Sequence, residues 1–272
     1  MDLKNKIVLI TGASSGIGEA SAYEAIRRGA KPILVARRRS ELERVAQEVK
    51  KLSGESPLII PADVTNPSDV KLIHDETERT FGRLDVLVNN AGITAHGRFD
   101  ETNLDVLRKT MELNFFAVAS LTQSLLPLLK KSPGEKAIVL VSTPSGLYGI
   151  PGRFAYSASK SAGHALMESL RIELLDSGIH TLIFCPGYTT TALRSSGLAA
   201  DGTIIAEEQA REARSPGYAA SRLWTAVEKK KRIVYTDFNG SVIYWLRTLA
   251  PGLLEKIAAR KLKKDFQKRS HD

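Results

Sequence analysis

An unbroken apolar run, Ile7-Val8-Leu9-Ile10, ends in Thr11-Gly12-Ala13-Ser14-Ser15-Gly16-Ile17-Gly18. Helical spacing then follows through Ala20, Tyr23, Ala25 and Ile26 up to Gly29. A run apolar at successive positions suits a strand buried on both faces, as in a parallel sheet. The glycines let the backbone turn tightly and lie close to a pyrophosphate, whose charge the helix N-terminus meets. The spacing is Gly-x-x-x-Gly-x-Gly rather than Gly-x-Gly-x-x-Gly, so the motif depends on the strand before it and the helix after it. A plain strand-to-helix turn is the competing reading.

The alternation continues along the chain. Strands are expected at Pro32 to Ala36, Leu58 to Ile60, Leu84 to Val88, Ala137 to Val141 and Ile179 to Phe184. Helices are expected at Ser40 to Lys50, around Asp69 to Thr80, at Leu104 to Leu129, and from Tyr156 to about Asp176. Within Leu104 to Leu129, Asn114 and Gln123 interrupt the apolar spacing, and an asparagine there can kink a helix by bonding backbone groups. This order predicts an α/β fold: one Rossmann-type doubly wound parallel sheet in three α/β/α layers. A helix over Pro216 to Arg232 and a strand at Ile233 to Tyr235 complete it. No repeat or composition break marks a second domain. Residues 1–240 are read as one domain, with 241–272 as its helical extension.

Composition narrows the function. The chain's 272 residues suffice for a large core, and 43% hydrophobic with 25% charged residues is ordinary for a soluble globular protein. The single cysteine, Cys185, excludes an internal disulfide; it reads as a small buried hydrophobe in a reducing, cytoplasmic compartment. Met1 to Lys6 runs straight into a strand, so no signal peptide is expected, nor does an apolar run reach the ~20 residues of a membrane span. The net charge of +9 gathers in Arg37-Arg38-Arg39, Lys229-Lys230-Lys231-Arg232 and Lys256 to Arg269. No aromatic-interleaved basic face accompanies it, so a phosphate-bearing cofactor and solvated charge are preferred to nucleic acid. The five histidines lack metal-ligand spacing, and no metal is expected.

Doubly wound sheets bind ligands at the carboxyl ends of their strands. After the second strand, the position where NAD-preferring folds hold an acid is Ala36, followed by Arg37 and Arg38. Arginine accommodates a 2′-phosphate, which favours NADP(H); the alternative is that both arginines merely begin an exposed helix. Asp63 and Val64 suit an adenine amino group and ring, although Asp63 could equally cap a turn. Asn89-Asn90-Ala91-Gly92 ends the fourth strand, where small residues let the backbone lie along a cofactor. Tyr156 and Lys160 stand four apart on one helical face. An ammonium held beside a phenol favours the phenolate, lowering a pKa of ~10 toward neutrality for proton transfer. Thirteen residues before the tyrosine stands Thr143, in Ser142-Thr143-Pro144-Ser145-Gly146.

Together these motifs resemble the short-chain dehydrogenase/reductase family over about Lys6 to Thr191. The resemblance implies that Gly12, Ser14, Ser15, Gly16, Ile17 and Gly18 line the pyrophosphate turn and that Arg37 and Arg38 mark NADP preference. It assigns Asp63 and Val64 to adenine, and Asn90, Ala91 and Gly92 to the cofactor-facing strand end. Pro186, Gly187, Thr189 and Thr191 would hold the nicotinamide carboxamide. Asn114, Thr143, Tyr156 and Lys160 match the catalytic tetrad, with threonine where the family usually has serine. Threonine keeps the hydroxyl but adds a methyl and a stiffer χ1. Ser142 is the less favoured substitute, because neighbours on a strand end face opposite ways. The implied reaction is hydride transfer from NADPH to a ketone or aldehyde, with Tyr156 as proton donor and Lys160 holding the nicotinamide ribose. Asn114 would position a water for proton exchange. Dimers or tetramers built on the helices of Asn114 and Tyr156 are the implied assembly.

Residues 188–215 read as a substrate lid, whose Leu193, Leu198, Ile204 and Ile205 suit a hydrophobic or extended substrate. The end of the chain carries an apolar stripe, from Val242 through Trp245, Leu249, Leu253 and Ile257 to Leu262, with Lys256, Arg260, Lys261, Lys263, Lys264, Lys268 and Arg269 beside it. Self-packing or contact between copies is preferred to a peripheral membrane contact. This tail is similar to that of lipid-ketone reductases acting on acyl- or alkyl-dihydroxyacetone phosphate or on 3-ketodihydrosphingosine. An NAD(P)-dependent alcohol dehydrogenase and a catalytically lapsed cofactor-binding protein are the competing functions.

Overall fold

Seven apolar segments pair side by side in the computed structural model, which describes residues 1–191, 193, 196–205 and 213–269. The strands are β1 (Ile7–Thr11), β2 (Lys31–Ala36), β3 (Leu58–Pro61), β4 (Val86–Asn89), β5 (Lys136–Val141), β6 (Ile179–Cys185) and β9 (Ile233–Tyr235). Their order is β3-β2-β1-β4-β5-β6-β9, and every pairing is parallel. Ile10 lies opposite Leu34 on one side and Val88 on the other, and the sheet reverses its winding between β1 and β4.

Alternate side chains divide between two cores. Val8, Ile10, Leu34, Val86, Val88 and Val139 pack under α1 (Gly16–Arg27), α2 (Arg39–Ser53) and α7 (Pro216–Glu228), with Trp224 fully buried among them. Its indole Nε1 donates to the Ser21 carbonyl at 2.8 Å, fixing α7 on α1. Ile7, Leu9, Ile33, Leu87, Ile138 and Leu140 meet α3 (Pro67–Phe81), α5 (Ala117–Lys131) and α6 (Phe154–Glu173) on the other face. Local chemistry sets the helix ends. Asn66 accepts from the Ser68 amide at 3.0 Å, Pro67 opens α3, and Gly82, at φ 66°, ends it.

The helix expected over Leu104 to Leu129 is interrupted. It forms as α4 (Leu104–Met111), a π-helical turn (Glu112–Phe116) and α5, with Asn114 inside the turn. The whole stretch, Leu104–Lys131, has the length and apolarity of a membrane span, but Leu121, Leu125, Leu128 and Leu129 spend that apolarity on the sheet. Two helices end earlier than the sequence suggests: α6 stops at Glu173 before a 3₁₀ turn, and α7 at Glu228 before Lys230 turns to φ 50°. In the expected lid, β7 (Gly197–Leu198) and β8 (Ile204–Ile205) form an antiparallel pair that the sequence does not announce. Residues 192, 194, 195 and 206–212 of that lid lie outside the described residues, as do 270–272 of the tail. The extension folds as α8 (Phe238–Leu249) and α9 (Pro251–Arg269), parted at Pro251.

One buried carboxylate ties the amino ends of β1 and β4 to the end of α5. Asp85, 1% exposed, accepts from the Ile7 amide at 2.8 Å, from Lys6 Nζ at 3.1 Å and from Ser132 Oγ. Burial alone would raise its pKa, but these bonds outweigh it and hold the group below its ordinary value. Its stabilisation is therefore present above the ordinary carboxylate pKa and fades as pH falls through the depressed folded value. Asp85→Ala leaves the Ile7 amide and the Ser132 hydroxyl without this acceptor and is expected to cost about 3 kcal/mol in urea unfolding at pH 7. A loss well under 1 kcal/mol would show that the tie is dispensable.

Candidate active site

The glycine turn and the end of β4 are stitched together across the gap where the sheet reverses its winding. Thr11 Oγ1 accepts from the Asn90 and Ala91 amides, both at 3.0 Å, and donates to the Val88 carbonyl at 3.3 Å. Asn90 Nδ2 donates back to the Thr11 carbonyl at 2.9 Å. A Cβ on Gly18 would fall 2.2 Å from the Gly12 carbonyl oxygen, so only glycine lets α1 start this close to β1. Gly12 takes φ 64° and Gly16 φ 59°, left-handed values that glycine adopts without strain. Ser15 precedes α1 in an extended conformation without capping it through its side chain. The first-turn amides of α1 thus face the turn formed by Gly12, Ser14, Ser15, Gly16, Ile17 and Gly18. Thr191 overhangs that turn; a Cβ on Gly16 would sit 3.1 Å from its methyl.

Arg37 and Arg38 stand at the end of β2 beside this turn. Arg38 Nη2 donates to Ser14 Oγ at 3.3 Å, and Arg37 Nη1 lies 3.8 Å from Asp63 Oδ2. Asp63 Oδ1 accepts from the amide and hydroxyl of Thr65, at 3.0 and 2.8 Å, and thus caps its own turn. Val64 is buried in the second core. Arg44, which no motif singles out, holds Glu19 on α1 at 2.8 Å and reaches the Ser14 carbonyl at 3.4 Å. Two charged residues on separate helices carry no signal that they meet.

Gly92, Asn114 and Lys160 converge deeper in the same cleft. A Cβ on Gly92 would stand 2.8 Å from Asn114 Oδ1 and 3.4 Å from Lys160 Nζ. Asn114 Oδ1 accepts from the Ile93 amide at 2.9 Å. Its Nδ2 donates to the Ile93 carbonyl at 2.9 Å and to Ser159 Oγ at 3.0 Å. Lys160 Nζ donates to the Val141 carbonyl at 3.0 Å and lies 6.0 Å from the Tyr156 ring centre. Tyr156 itself is buried. Burial pushes its phenol up to about 12, although the nearby Arg153 cation pulls the other way, and burial pushes the Lys160 amine down to about 8. This corrects the expectation that the ammonium brings the phenol toward neutrality. Both groups are desolvated, and burial is the largest cause of each shift.

Thr143 leaves the end of β5 extended and caps the short 3₁₀ turn Pro144–Gly146, its Oγ1 accepting from the Ser145 amide at 3.4 Å. Ser142 faces the other way, as alternation on a strand requires: its Oγ lies 2.7 Å from His164 Nε2, inside the protein. Gly187 packs against Asp237, and its amide donates to Thr236 Oγ1 at 2.8 Å. Thr189 Oγ1 donates to the Gly187 carbonyl at 3.1 Å, curling the loop after Pro186 on itself. A third, smaller core of Ala95, Val106, Leu107, Phe154, Ala155 and Leu198 joins α4, α6 and the lid.

His164 supplies a pH test of this packing. Burial first, then the Lys160 and Arg247 cations, depress it to about 4 from an ordinary 6.5. Between those values the unfolded chain takes up a proton that the folded one refuses, so stability falls as pH drops through that window. The loss should approach about 3 kcal/mol at pH 4, and His164→Gln should flatten that part of the urea-midpoint profile. Superimposable wild-type and variant profiles would contradict it.

Known proteins share this sequence pattern and fold. A profile of the short chain dehydrogenase family matches residues 6–201. The mouse protein named dehydrogenase/reductase SDR family member 7B is 36% identical over 98% of this chain and 84% of its own length. A Streptomyces avermitilis short-chain dehydrogenase superposes with a TM-score of 0.77 at 30% identity, covering 99% of both chains. A Shigella flexneri short-chain dehydrogenase complexed with NADP gives a TM-score of 0.76 at 30% identity, over 86% of this chain and 98% of that one. With its sheet order, its glycine turn and its Tyr156–Lys160 pair in one cleft, this chain belongs to the short-chain dehydrogenase/reductase family of oxidoreductases.

Proposed function

We propose that the chain is an NADP(H)-dependent reductase of a hydrophobic, lipid-like ketone or aldehyde, with alcohol oxidation as the reverse reaction. The observation that carries this reading is the meeting of Tyr156, Lys160, Asn114 and Gly92 at the strand ends, beside a glycine turn that opens onto a helix N-terminus. The residues fit the cofactor. The α1 amides suit a pyrophosphate, and Arg37 and Arg38 suit a 2′-phosphate at a position lacking a carboxylate. The NADP in the Shigella flexneri relative supports the same choice. When bound, NADP(H) supplies or receives the hydride.

The side chains then divide the remaining work. Tyr156, with its pKa raised, holds its proton at neutral pH and donates it to the oxygen that gains charge as a carbonyl is reduced. The tyrosinate left behind faces the Lys160 ammonium, whose attraction grows once the phenol is charged. Thr143 offers its hydroxyl to the same oxygen. Asn114, bonded twice to Ile93, fixes the backbone over which the nicotinamide ribose would lie. The apolar Leu198, Ile204 and Ile205 of the lid suit a hydrophobic substrate. A homo-oligomer built on the helices of Asn114 and Tyr156 belongs to this reading, because Phe116 at the end of the π-helical turn and Ile172 on α6 are exposed.

Tyr156→Phe is expected to keep the fold and NADPH binding while slowing turnover by about 10²–10⁴-fold, read as NADPH absorbance over a panel of long-chain ketones. Near-normal rates would overturn the assignment. Replacing Arg37 and Arg38 together by Ala should raise the KM for NADPH about tenfold or more while leaving that for NADH nearly unchanged. Equal effects on both cofactors would favour an NAD-linked alcohol dehydrogenase.

A further inference from the structure

The C-terminal helices keep an apolar face that the other described residues do not cover. Self-packing buries Leu254, 5% exposed, and sets Tyr244 against Tyr235 with ring centres 6.3 Å apart. It leaves Trp245 at 59%, Leu249 at 73%, Leu253 at 52% and Ile257 at 45% exposed. Trp245 and Leu249 stand one turn apart on α8, and Leu253 and Ile257 one turn apart on α9, so each pair lies on one stripe. Arg247, Lys256 and Arg260 are exposed on the same two helices. From 238 to 269 the sequence holds eight lysines and arginines against two acids, Glu255 and Asp265. The side chains beyond Arg260 lie outside those described.

We infer that the outer face of α8 and α9 docks on an anionic lipid bilayer. Its aromatic and aliphatic side chains would enter the headgroup boundary, while its cations meet lipid phosphates. Charge decides against a second copy as the occupant. A two-fold contact sets each patch against itself, and the exposed Arg247, Lys256 and Arg260 against Glu255 give both copies the same net positive charge. An anionic surface instead meets the same cations with opposite charge, and it needs no groove to receive separate apolar side chains. The location gives docking a use. α8 touches the Pro144–Gly146 turn, and its capping residue Asp237 packs on Gly187, so the bilayer would lie beside the candidate cleft. Only this last point rests on the proposed reductase function; lipid binding does not.

The test uses the full chain and vesicles of phosphatidylcholine, with and without phosphatidylglycerol. Flotation should show binding at least about tenfold tighter to the anionic vesicles, weakening as salt rises. Acyl-brominated lipid should quench Trp245, while Trp224, fully buried, is untouched. Lys256→Glu with Arg260→Glu should abolish the anionic preference, and Trp245→Ala with Leu249→Ala should weaken binding about tenfold or more, each variant keeping wild-type circular dichroism and melting. Absent flotation, equal binding to both vesicles, or unquenched fluorescence would overturn the inference. Self-association in the absence of lipid that Leu249→Asp disrupts would also overturn it, by making this face a contact between copies. Vesicle binding by a chain that oxidises no NADPH would leave docking standing and remove the reductase reading alone.

Discussion

The architecture depends on what happens between β1 and β4, where the sheet changes its direction of winding. Helices leave these two strands for opposite faces, so among the described residues no helix covers the gap between their carboxyl ends. Backbone groups exposed there need partners. Thr11 and Asn90 provide them, each bridging from one strand end to the other. That stitching brings Gly12, Gly18 and Asn90 so close that a methyl group has no room. The cradle is thus a consequence of closing the gap. Its glycines answer a packing demand as well as leaving space for a ligand's phosphates.

Desolvation governs the chemistry on the other side of the cleft. Tyr156 and Lys160 are withdrawn from water by the same helix, and each is pushed toward its uncharged form. Removing the charge from water is the largest cause of both shifts. A protonated phenol is the form that donates a proton, and a phenolate the form that accepts one. Oxidation would first require the phenolate, whose formation burial opposes. Bringing a cationic ring near the pair would change that balance, which makes the direction of proton transfer sensitive to what occupies the cleft.

The parts of the fold visible in the sequence are those whose cause is local. Buried parallel strands show as continuous apolar runs, and Ile7 to Ile10 or Ala137 to Val141 are too short and too uniformly apolar to form anything else between their flanking turns. The glycine turn and the Tyr156–Lys160 spacing are equally local. Partnerships between distant residues leave no such mark: Arg44 with Glu19, and His164 with Ser142, join elements whose relative placement only the folded chain defines. The two-residue strands β7 and β8 are too short for any periodicity. Asp63 keeps both of its options open in the sequence, and its bonds to Thr65 are those of a turn cap. The phenol's upward shift has no signature at all, because spacing reveals a neighbouring charge but not the depth at which both groups lie.

The π-helical turn around Asn114 has a wider reach than its five residues suggest. A π turn inserts one extra residue, which rotates everything beyond it by about 100° about the helix axis. With that rotation, Val106 on α4 points into the small core shared with Leu198, while Leu121 and Leu125 on α5 point into the sheet. The turn, with Asn114 inside it bonded to Ile93, therefore sets the phase between the half of the helix that meets the lid and the half that carries the core. Regularising that turn into α-helix would swing the lid's support out of line with the strand ends, even though no residue of the lid had been altered.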